Sequence, residues 1–154
     1  MNTNKNILVS IAVILVAFGA GAYLLSKTAP IDTNETTSPA ITYTNASEDL
    51  IVVELPFPGA VVGKEFSVVG KARGNWFFEA SFPVYVMDQN GKKLAVGIAQ
   101  AEGDWMTTDF VPFKADIKVP DSYIGLATLV LDKDNASGLP EHDASVSFPI
   151  TVEY

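Results

Sequence analysis

The stretch SVSFPITVE, residues 145–153, alternates between apolar and mostly polar side chains. One parity holds Val146, Phe148, Ile150 and Val152, and the other holds Ser145, Ser147, Pro149, Thr151 and Glu153. Because successive side chains of a β-strand point to opposite faces, this period of two predicts a strand that is buried on one face only. Such strands are typical of antiparallel sheets that have one face on the core and one in solvent.

The same texture extends outward from this strand over residues 50–154. Short β-branched and aromatic runs are separated by Gly, Pro, Asn and Asp at intervals near ten residues, and no segment has a convincing helical period. We predict seven strands, at residues 50–55, 65–72, 77–88, 93–100, 105–113, 125–132 and 145–153. This size and strand number are typical of an immunoglobulin-like β-sandwich, so the sequence predicts an all-β fold of that class.

Turn residues and prolines add detail to this fold. Asn90 and Gly91 lie between two apolar runs and tolerate positive φ, which predicts a hairpin. The Pro-Phe-Pro-Gly sequence of residues 56–59 predicts a bend after the first strand. Pro83 and Pro149 lack a backbone donor, so each should lie at a sheet edge or at a bulge.

The third predicted strand carries apolar side chains on both parities. Counting by twos assigns Phe78, Ala80, Phe82, Val84 and Val86 to the core face. It assigns Phe77, Glu79, Ser81, Pro83, Tyr85 and Met87 to the opposite face. The apolar members of that opposite face indicate either contact with another molecule or cover by loops or by the preceding segment.

The N-terminal part of the sequence has a different character. Ile7 to Leu25 reads ILVSIAVILVAFGAGAYLL, an uncharged run that as a helix would span roughly 28 Å, close to the hydrocarbon thickness of a bilayer. Lys5 precedes this run, and acids dominate the segment after Lys27, which predicts a cytoplasmic N-terminus and an extracytoplasmic domain. The alternative is a signal peptide cleaved after Ala22, which would export the same domain without a tether.

Between the apolar run and the domain, residues 28–49 are rich in Thr, Ser, Asn and Pro. This composition buries too little apolar surface to offset the entropy of ordering, so we predict a disordered stalk. The predicted organisation is therefore an anchor at residues 1–27, a stalk at 28–49 and an immunoglobulin-like domain at 50–154.

The overall composition excludes several classes of function. The formal net charge is −8, and an acidic chain repels the phosphate backbone, so no nucleic-acid partner is predicted. The chain has no cysteine, which excludes disulfides, thiol catalysis and thiolate metal sites.

The candidate binding residues come from the aromatic blocks and their neighbours. They are Arg73, Trp76, Phe77, Tyr85, Trp105 and Met106. Tryptophan is enriched in binding hot spots, but it also fills the core of a sandwich that lacks a disulfide. We therefore expect Phe78 and one tryptophan in the core. The other tryptophan is expected to be partly exposed beside Arg73, whose guanidinium can stack on it.

No catalytic residue, metal or cofactor is predicted. His142 is the single histidine, and a triad with Ser137 or Ser145 would need a supporting framework and an oxyanion hole that the sequence does not indicate. Residues 132–143 have the length of a calcium-binding loop, but Ser137 and Asp143 stand where that loop requires Gly and Glu.

Several blocks of sequence resemble one known family when they are read in order. They are PFPG at 56–59, GKARG at 70–74, WFFEASFP at 76–83, DQNG at 88–91, GDWMT at 103–107 and VPF at 111–113. Together they resemble the GerM-associated, immunoglobulin-like domain of bacterial spore germination proteins over nearly the whole globular part. The resemblance implies an immunoglobulin-like sandwich located at the spore cortex or cell envelope, with no agreed catalytic residues to transfer.

Two features depart from that family: no companion germination domain is recognisable, and there is no cysteine for lipid attachment. The envelope location, and not a spore role, is therefore the property that we carry over. The sequence predicts a membrane-anchored binding or structural module, not an enzyme, which contacts an envelope protein or a cell-wall polymer. The alternatives are a protease-inhibitor-like domain that presents residues 138–143 or 56–63, and a purely structural spacer.

Overall fold

The computed structural model describes residues 39–154 of the chain. The strands are β1 (Thr42–Thr44), β2 (Ile51–Leu55), β3 (Val61–Val62), β4 (Glu65–Arg73), β5 (Ser81–Met87), β6 (Lys93–Ala101), β7 (Phe110–Lys118), β8 (Gly125–Asp132) and β9 (Ser145–Val152). Two single-turn 3₁₀ helices, Gly74–Trp76 and Pro140–His142, lie in the connections. The predicted all-β fold is thereby confirmed.

The strands form a curled, mainly antiparallel sheet in the order β1-β9-β8-β5-β6-β7-β4-β2, with β3 parallel to β9. Strand β6 pairs with β5 along its length but pairs with β7 only at Gln100 and Ala101. The sheet folds over at this short contact, so β9, β8, β5 and β6 form one layer and β7, β4 and β2 the other. These are the strand orders of the two layers of an immunoglobulin-like sandwich.

The core between the layers is apolar, and in the described residues no polar or charged residue is buried. Phe82 of β5 lies at its centre, with ring centroids 4.9 Å from Phe113 of β7, 5.2 Å from Phe77 and 6.4 Å from Trp76. Because Phe113 belongs to the opposite layer, these aromatic contacts join the two layers. Apolar burial of this kind stabilises the domain without a disulfide.

The predicted hairpin at Asn90 and Gly91 is confirmed. Gly91 has a φ of +77°, and the backbone N–H groups of Asn90 and Lys92 both donate to Asp88 Oδ1. The side chain of Asp88 therefore closes the turn between β5 and β6.

The two strand prolines lie where a strand has a neighbour on one side only. Strand β5 pairs with β8 from Val84 onward, so Pro83 faces β6 alone. Pro149 lies between the stretch of β9 that pairs with β1 and the stretch that pairs with β3. Each proline thus occupies a local edge, as its missing N–H requires.

The predicted start of the third strand is wrong. A 3₁₀ turn at Gly74–Trp76 and positive φ values at Glu79 and Ala80 interrupt the chain, so β5 begins at Ser81. The parity assigned to the preceding residues is therefore inverted, and Phe77 is buried at 4% exposure whereas Phe78 is 44% exposed. Similarly, β7 begins at Phe110, not at residue 105.

Residues 39–49, which the sequence analysis assigned to the stalk, pack on the domain in the structure. Thr42–Thr44 forms β1, an antiparallel partner for the first residues of β9. The strands β1 and β3 cover the same edge of β9 one after the other, which protects that edge from pairing with other chains.

The predicted membrane span at residues 7–25 lies outside the described residues. Within residues 39–154, none of the helices has the length and apolar character needed to cross a membrane.

Candidate functional site

Two of the predicted binding residues lie inside the core. Trp76 is 1% exposed, which confirms that one tryptophan belongs to the core, and its indole nitrogen has no hydrogen-bond partner among the described residues. Phe77 packs against Phe82 and is not accessible to a ligand. The structure thus removes Trp76 and Phe77 from the candidate binding surface and overturns the predicted burial of Phe78.

Three other predicted residues come together at one end of the sandwich. Trp105 is half-buried against the core, and Met106 beside it is 78% exposed. The guanidinium of Arg73 lies 4.1 Å from the ring centroid of Phe110, so it stacks on that ring and not on a tryptophan as predicted. Arg73 also donates hydrogen bonds to the backbone oxygens of Asp49 and Thr108, and so links the two loops that contain these residues.

The loop that carries Trp105 is held against Gly74. A Cβ at Gly74 would lie 2.0 Å from the carbonyl oxygen of Thr107 and 2.3 Å from that of Trp105. Only glycine permits this close approach, so Gly74 is required for the loop that carries Trp105 to pack here. This end of the domain is a packed junction at which Met106 is exposed.

Tyr85 lies on the outward face of β5, and this face continues over three neighbouring strands. Tyr85 is paired with Val96 of β6 on one side and with Val130 of β8 on the other. The ammonium of Lys93 lies 3.4 Å from the centroid of the Tyr85 ring, a cation–π contact. Tyr85 is therefore the centre of an extended surface.

We call this surface the charge-poor face and define it by the outward residues of four strands. They are Ser81, Pro83, Tyr85 and Met87 of β5, Lys93, Val96, Ile98 and Gln100 of β6, Leu126, Thr128, Val130 and Asp132 of β8, and Ser145, Ser147, Pro149 and Thr151 of β9. Its charged members are Lys93 and Asp132. Val96 and Ile98 are 56% and 50% exposed.

The outward face of the other layer is different, and we call it the charged face. Its exposed strand residues include Glu54, Leu55, Glu65, Ser67, Lys71, Pro112, Lys114, Asp116 and Lys118. Lys118 Nζ is 2.6 Å from Glu65 Oε1, Lys114 Nζ is 3.4 Å from Asp116 Oδ1, and Ser67 Oγ donates to Asp116 at 2.6 Å. An open depression of 520 Å³ between β4 and β7 is lined by Phe66, Ile117 and the already paired Glu65, Lys118, Ser67 and Asp116.

The pKa values of carboxyl groups on the two faces are shifted in opposite directions. Burial raises the pKa of Asp132, the ammonium of Lys93 opposes this shift, and the charge of Asp143 adds to it. On the charged face, the hydrogen bond and charge of Lys118 lower the pKa of Glu65. The environment of Asp132 is therefore less able to stabilise a negative charge.

A second groove, of 320 Å³, borders the charge-poor face where Tyr85, Asp132 and Ser145 meet the loop after β8. In that loop the amide of Asn135 donates to Leu139 O and to Asp143 Oδ1. These contacts give the loop the arrangement of a closed polar turn.

The residues considered for a catalytic triad do not face one another there. His142 is exposed in the second 3₁₀ helix, and the Ser137 hydroxyl donates to Asn135 Oδ1 at 2.6 Å. Within residues 39–154, no group of three or more His, Cys, Asp or Glu side chains is placed to hold a metal ion.

Val96, Ile98, Leu126 and Val130 are apolar members of the charge-poor face that the sequence analysis did not identify. In β6 the run LAVGIA is apolar at both parities, so no alternation reveals which side chains point outward. In β8 the parity of Leu126, Thr128 and Val130 is mostly apolar although the opposite parity fills the core. Apolar residues at both inward and outward positions of a strand are the sequence signal for such a face. The sequence analysis applies this signal only to the third predicted strand.

Two packed antiparallel layers with this strand order define the class of the protein as an immunoglobulin-like β domain. A family model described as the immunoglobulin-like domain of bacterial spore germination matches residues 50–138, more than half of the chain. The chain belongs to this family, which confirms the resemblance seen in the sequence. No curated protein and no solved structure gives a significant match.

Proposed function

We propose that this chain is a non-catalytic binding module of the bacterial cell envelope, which holds a protein partner or a cell-wall polymer on its charge-poor face. The observation that carries the proposal is the continuity of that face across β6, β5, β8 and β9. With strands about 4.8 Å apart and residues about 3.3 Å apart, four strands of seven residues cover roughly 400 Å². This area is partly polar, and its apolar part around Tyr85, Val96, Ile98 and Val130 is the kind of exposed patch that marks an interaction site.

The position of Tyr85 supports the same assignment. Tyrosine combines a large apolar ring with a hydroxyl, and it loses little conformational entropy when it is covered by a partner. Val96 and Val130 flank it, and Lys93 and Ser147 supply hydrogen-bonding groups near the rim of the apolar area. An apolar centre with a polar rim is the usual construction of a protein-binding surface.

The envelope location rests on family membership and on the predicted span at residues 7–25. In this proposal the N-terminus is cytoplasmic, the span stays in the membrane and the domain lies outside; cleavage after Ala22 would release it. Protease added to intact cells should degrade residues 39–154 while a cytoplasmic marker survives. Protection of the domain in intact cells would contradict the location and leave the charge-poor face untested by that experiment alone.

Site-specific photocrosslinking in the host cell tests the binding surface. A benzophenone amino acid is placed at Ile98 on the charge-poor face and, as the matched control, at Lys114 on the charged face. We expect a discrete adduct from position 98 and none from position 114. Equal adducts at both positions, or none at either, would contradict a surface-specific partner.

A second pair of variants separates loss of binding from loss of folding. Val96→Thr with Ile98→Thr keeps β-branched side chains but removes apolar surface, and Lys114→Thr with Lys118→Thr makes the same number of changes on the charged face. The first pair should reduce the crosslink formed from a benzophenone at Met87, and the second should not. If neither pair has an effect and the domain slows an extracellular protease, the inhibitor alternative is favoured.

A further inference from the structure

Four large apolar side chains are exposed around the second half of β9, and we call them the entry-side cluster: Phe57, Val61, Ile124 and Leu126. Each is more than half exposed. Val61 and Leu126 are both paired with Thr151, so they flank it on the same outward face. Ile124 precedes Gly125, which pairs with Val152, and Phe57 lies in the turn whose Gly59 N–H donates to Pro149 O.

The chain enters the domain beside this cluster. Pro39, the first described residue, packs on the turn that carries Phe57, because a Cβ at Gly59 would lie 2.6 Å from Pro39 Cγ. From Pro39 the chain runs along β9 as β1. The entry point and the cluster therefore lie on the same side of the domain.

The length of chain before Pro39 limits how far this side lies from the predicted span. Residues 26–38 separate Leu25 from Pro39, and a segment of this length cannot span more than roughly 45 Å even when fully extended. Because residues 39–49 pack on the domain, the tether is shorter than the sequence analysis predicted. With the predicted span in the bilayer, this length limits how far the entry side can lie from the membrane surface.

We propose that the entry-side cluster contacts the interfacial region of the lipid bilayer, an inference that rests on the proposed membrane anchor. The cluster itself has no charge, and its Phe, Val, Ile and Leu side chains suit the boundary between headgroups and acyl chains. Lys64, whose ammonium donates to the carbonyl oxygen of Tyr123 next to Ile124, places a cation where anionic headgroups would lie. Leu126 also belongs to the charge-poor face, so this contact would cover that end of the face and leave its centre around Tyr85 open to a partner.

Single-cysteine variants test this contact in the full chain, since the natural sequence has no cysteine. An environment-sensitive dye is attached at Phe57→Cys or Ile124→Cys, and the chain is reconstituted in vesicles of phosphatidylcholine and phosphatidylglycerol. The matched control is Met106→Cys at the opposite end, since Met106 is 78% and Ile124 is 70% exposed. We expect a shift to shorter emission wavelength and at least about twofold stronger quenching by shallow brominated lipids at 57 and 124 than at 106.

A dye at Leu15→Cys separates failure of this inference from failure of the anchor. Quenching at position 15 by deeply brominated lipids, without quenching at 57 or 124, would overturn the lipid contact and leave the anchor standing. No quenching at position 15 would overturn the anchor and the lipid contact together. A blue shift at 57 and 124 that brominated lipids do not quench would also overturn the proposal, because another protein copy would then cover the cluster.

Discussion

The two outward faces of this sandwich are built from the same kind of antiparallel strand, yet their side chains differ in kind. On the charged face, Lys118 pairs with Glu65 and Lys114 with Asp116, and all four are well solvated. On the charge-poor face, Tyr85 and Val130 are half-buried, and Val96 is more exposed than buried. The core requires apolar residues only at the inward-facing positions of each strand. The outward-facing positions can therefore vary with what each face contacts.

The charged face shows that the outward-facing positions of this fold accept charged residues. The fold therefore does not require apolar residues on the charge-poor face. Single exposed apolar residues are common and need no explanation, but a contiguous set across β6, β5 and β8 does. On the charged face the exposed Leu55 lies singly among charged side chains. The charge-poor face departs from that pattern and therefore indicates a contact beyond the domain.

The largest expected effect tests where the charge-poor face begins. Phe77→Ala should lower the free energy of unfolding by about 3–5 kcal/mol, because Phe77 is buried against Phe82. Phe78→Ala is the matched control, and since Phe78 is 44% exposed it should lower the same quantity by about 1 kcal/mol or less. Urea unfolding followed by tryptophan fluorescence measures both. An equal decrease in the free energy of unfolding for both variants would contradict the burial of Phe77.

This pair of residues also shows how far sequence reasoning reaches. The fold class and most strands could be predicted, because alternation and turn residues such as Asn90-Gly91 are local signals. The inversion at Phe77 could not, because the positive φ values that cause it fall on Glu79 and Ala80, which are not turn-forming types. Their conformation is imposed by a tight turn in which the N–H of Phe78 donates to Ser81 O.

The candidate site escaped prediction for a related reason. In β6 both parities are apolar, and Val96 and Ile98 point outward because Gly97 lies against Ile117 of β7, a contact far away in sequence. Strand β1 was missed because its three residues become a strand only by pairing with β9. Local sequence patterns thus predict which residues face the core. The outward residues of β6 and the pairing of β1 depend on contacts between distant parts of the chain.

The next effect in size compares a buried charge on each face. Val130 and Val69 are half-buried at the centres of the charge-poor and charged faces. Val130→Glu should cost about 1–2 kcal/mol, from lost apolar burial and from a carboxylate without a directly paired cation. Val69→Glu should cost less by roughly 0.2–1 kcal/mol, because Lys114 lies opposite on β7. Urea unfolding of the two variants at neutral pH checks the order, and a reversed order would contradict the contrast between the faces.

A smaller effect comes from the cation above Tyr85. Lys93→Met should lower the free energy of unfolding by about 0.5–1 kcal/mol, since the Lys93 ammonium is 3.4 Å from the ring centroid. Lys71→Met on the charged face is the control, because its ammonium is 5.4 Å from the Phe110 ring, which Arg73 already covers at 4.1 Å. Lys71→Met is expected to leave the urea midpoint unchanged. A loss at Lys71 as large as that at Lys93 would show that the contact with Tyr85 has no special value.

The smallest expected effect is a difference in the sign of a pH dependence. Burial raises the pKa of Asp132 above its ordinary 3.8, whereas the Ser67 hydroxyl, followed by Lys114, lowers the pKa of Asp116. Asp132 therefore reduces stability as the pH rises from 3.8 through its raised folded-state pKa, because the unfolded chain releases that proton first. Asp116 has the opposite sign: it contributes stability above 3.8, and that contribution is lost as the pH falls through its lowered pKa.

Two matched substitutions measure these signs. Relative to the natural chain, Asp132→Asn should gain stability as the pH rises from 3.8 through the raised pKa of Asp132, and Asp116→Asn should lose stability as the pH rises through the lowered pKa of Asp116 to 3.8. Carboxyl ¹³C titration by NMR gives the two pKa values directly, and urea midpoints at several pH values give the linkage. Shifts of the same sign at both residues would mean that the two faces offer a carboxylate the same environment, and the contrast from which the binding surface is inferred would lose its electrostatic support. Opposite signs would show that a partner of the charge-poor face meets a surface on which a buried negative charge is unfavourable, so that partner is expected to present apolar or neutral hydrogen-bonding groups there.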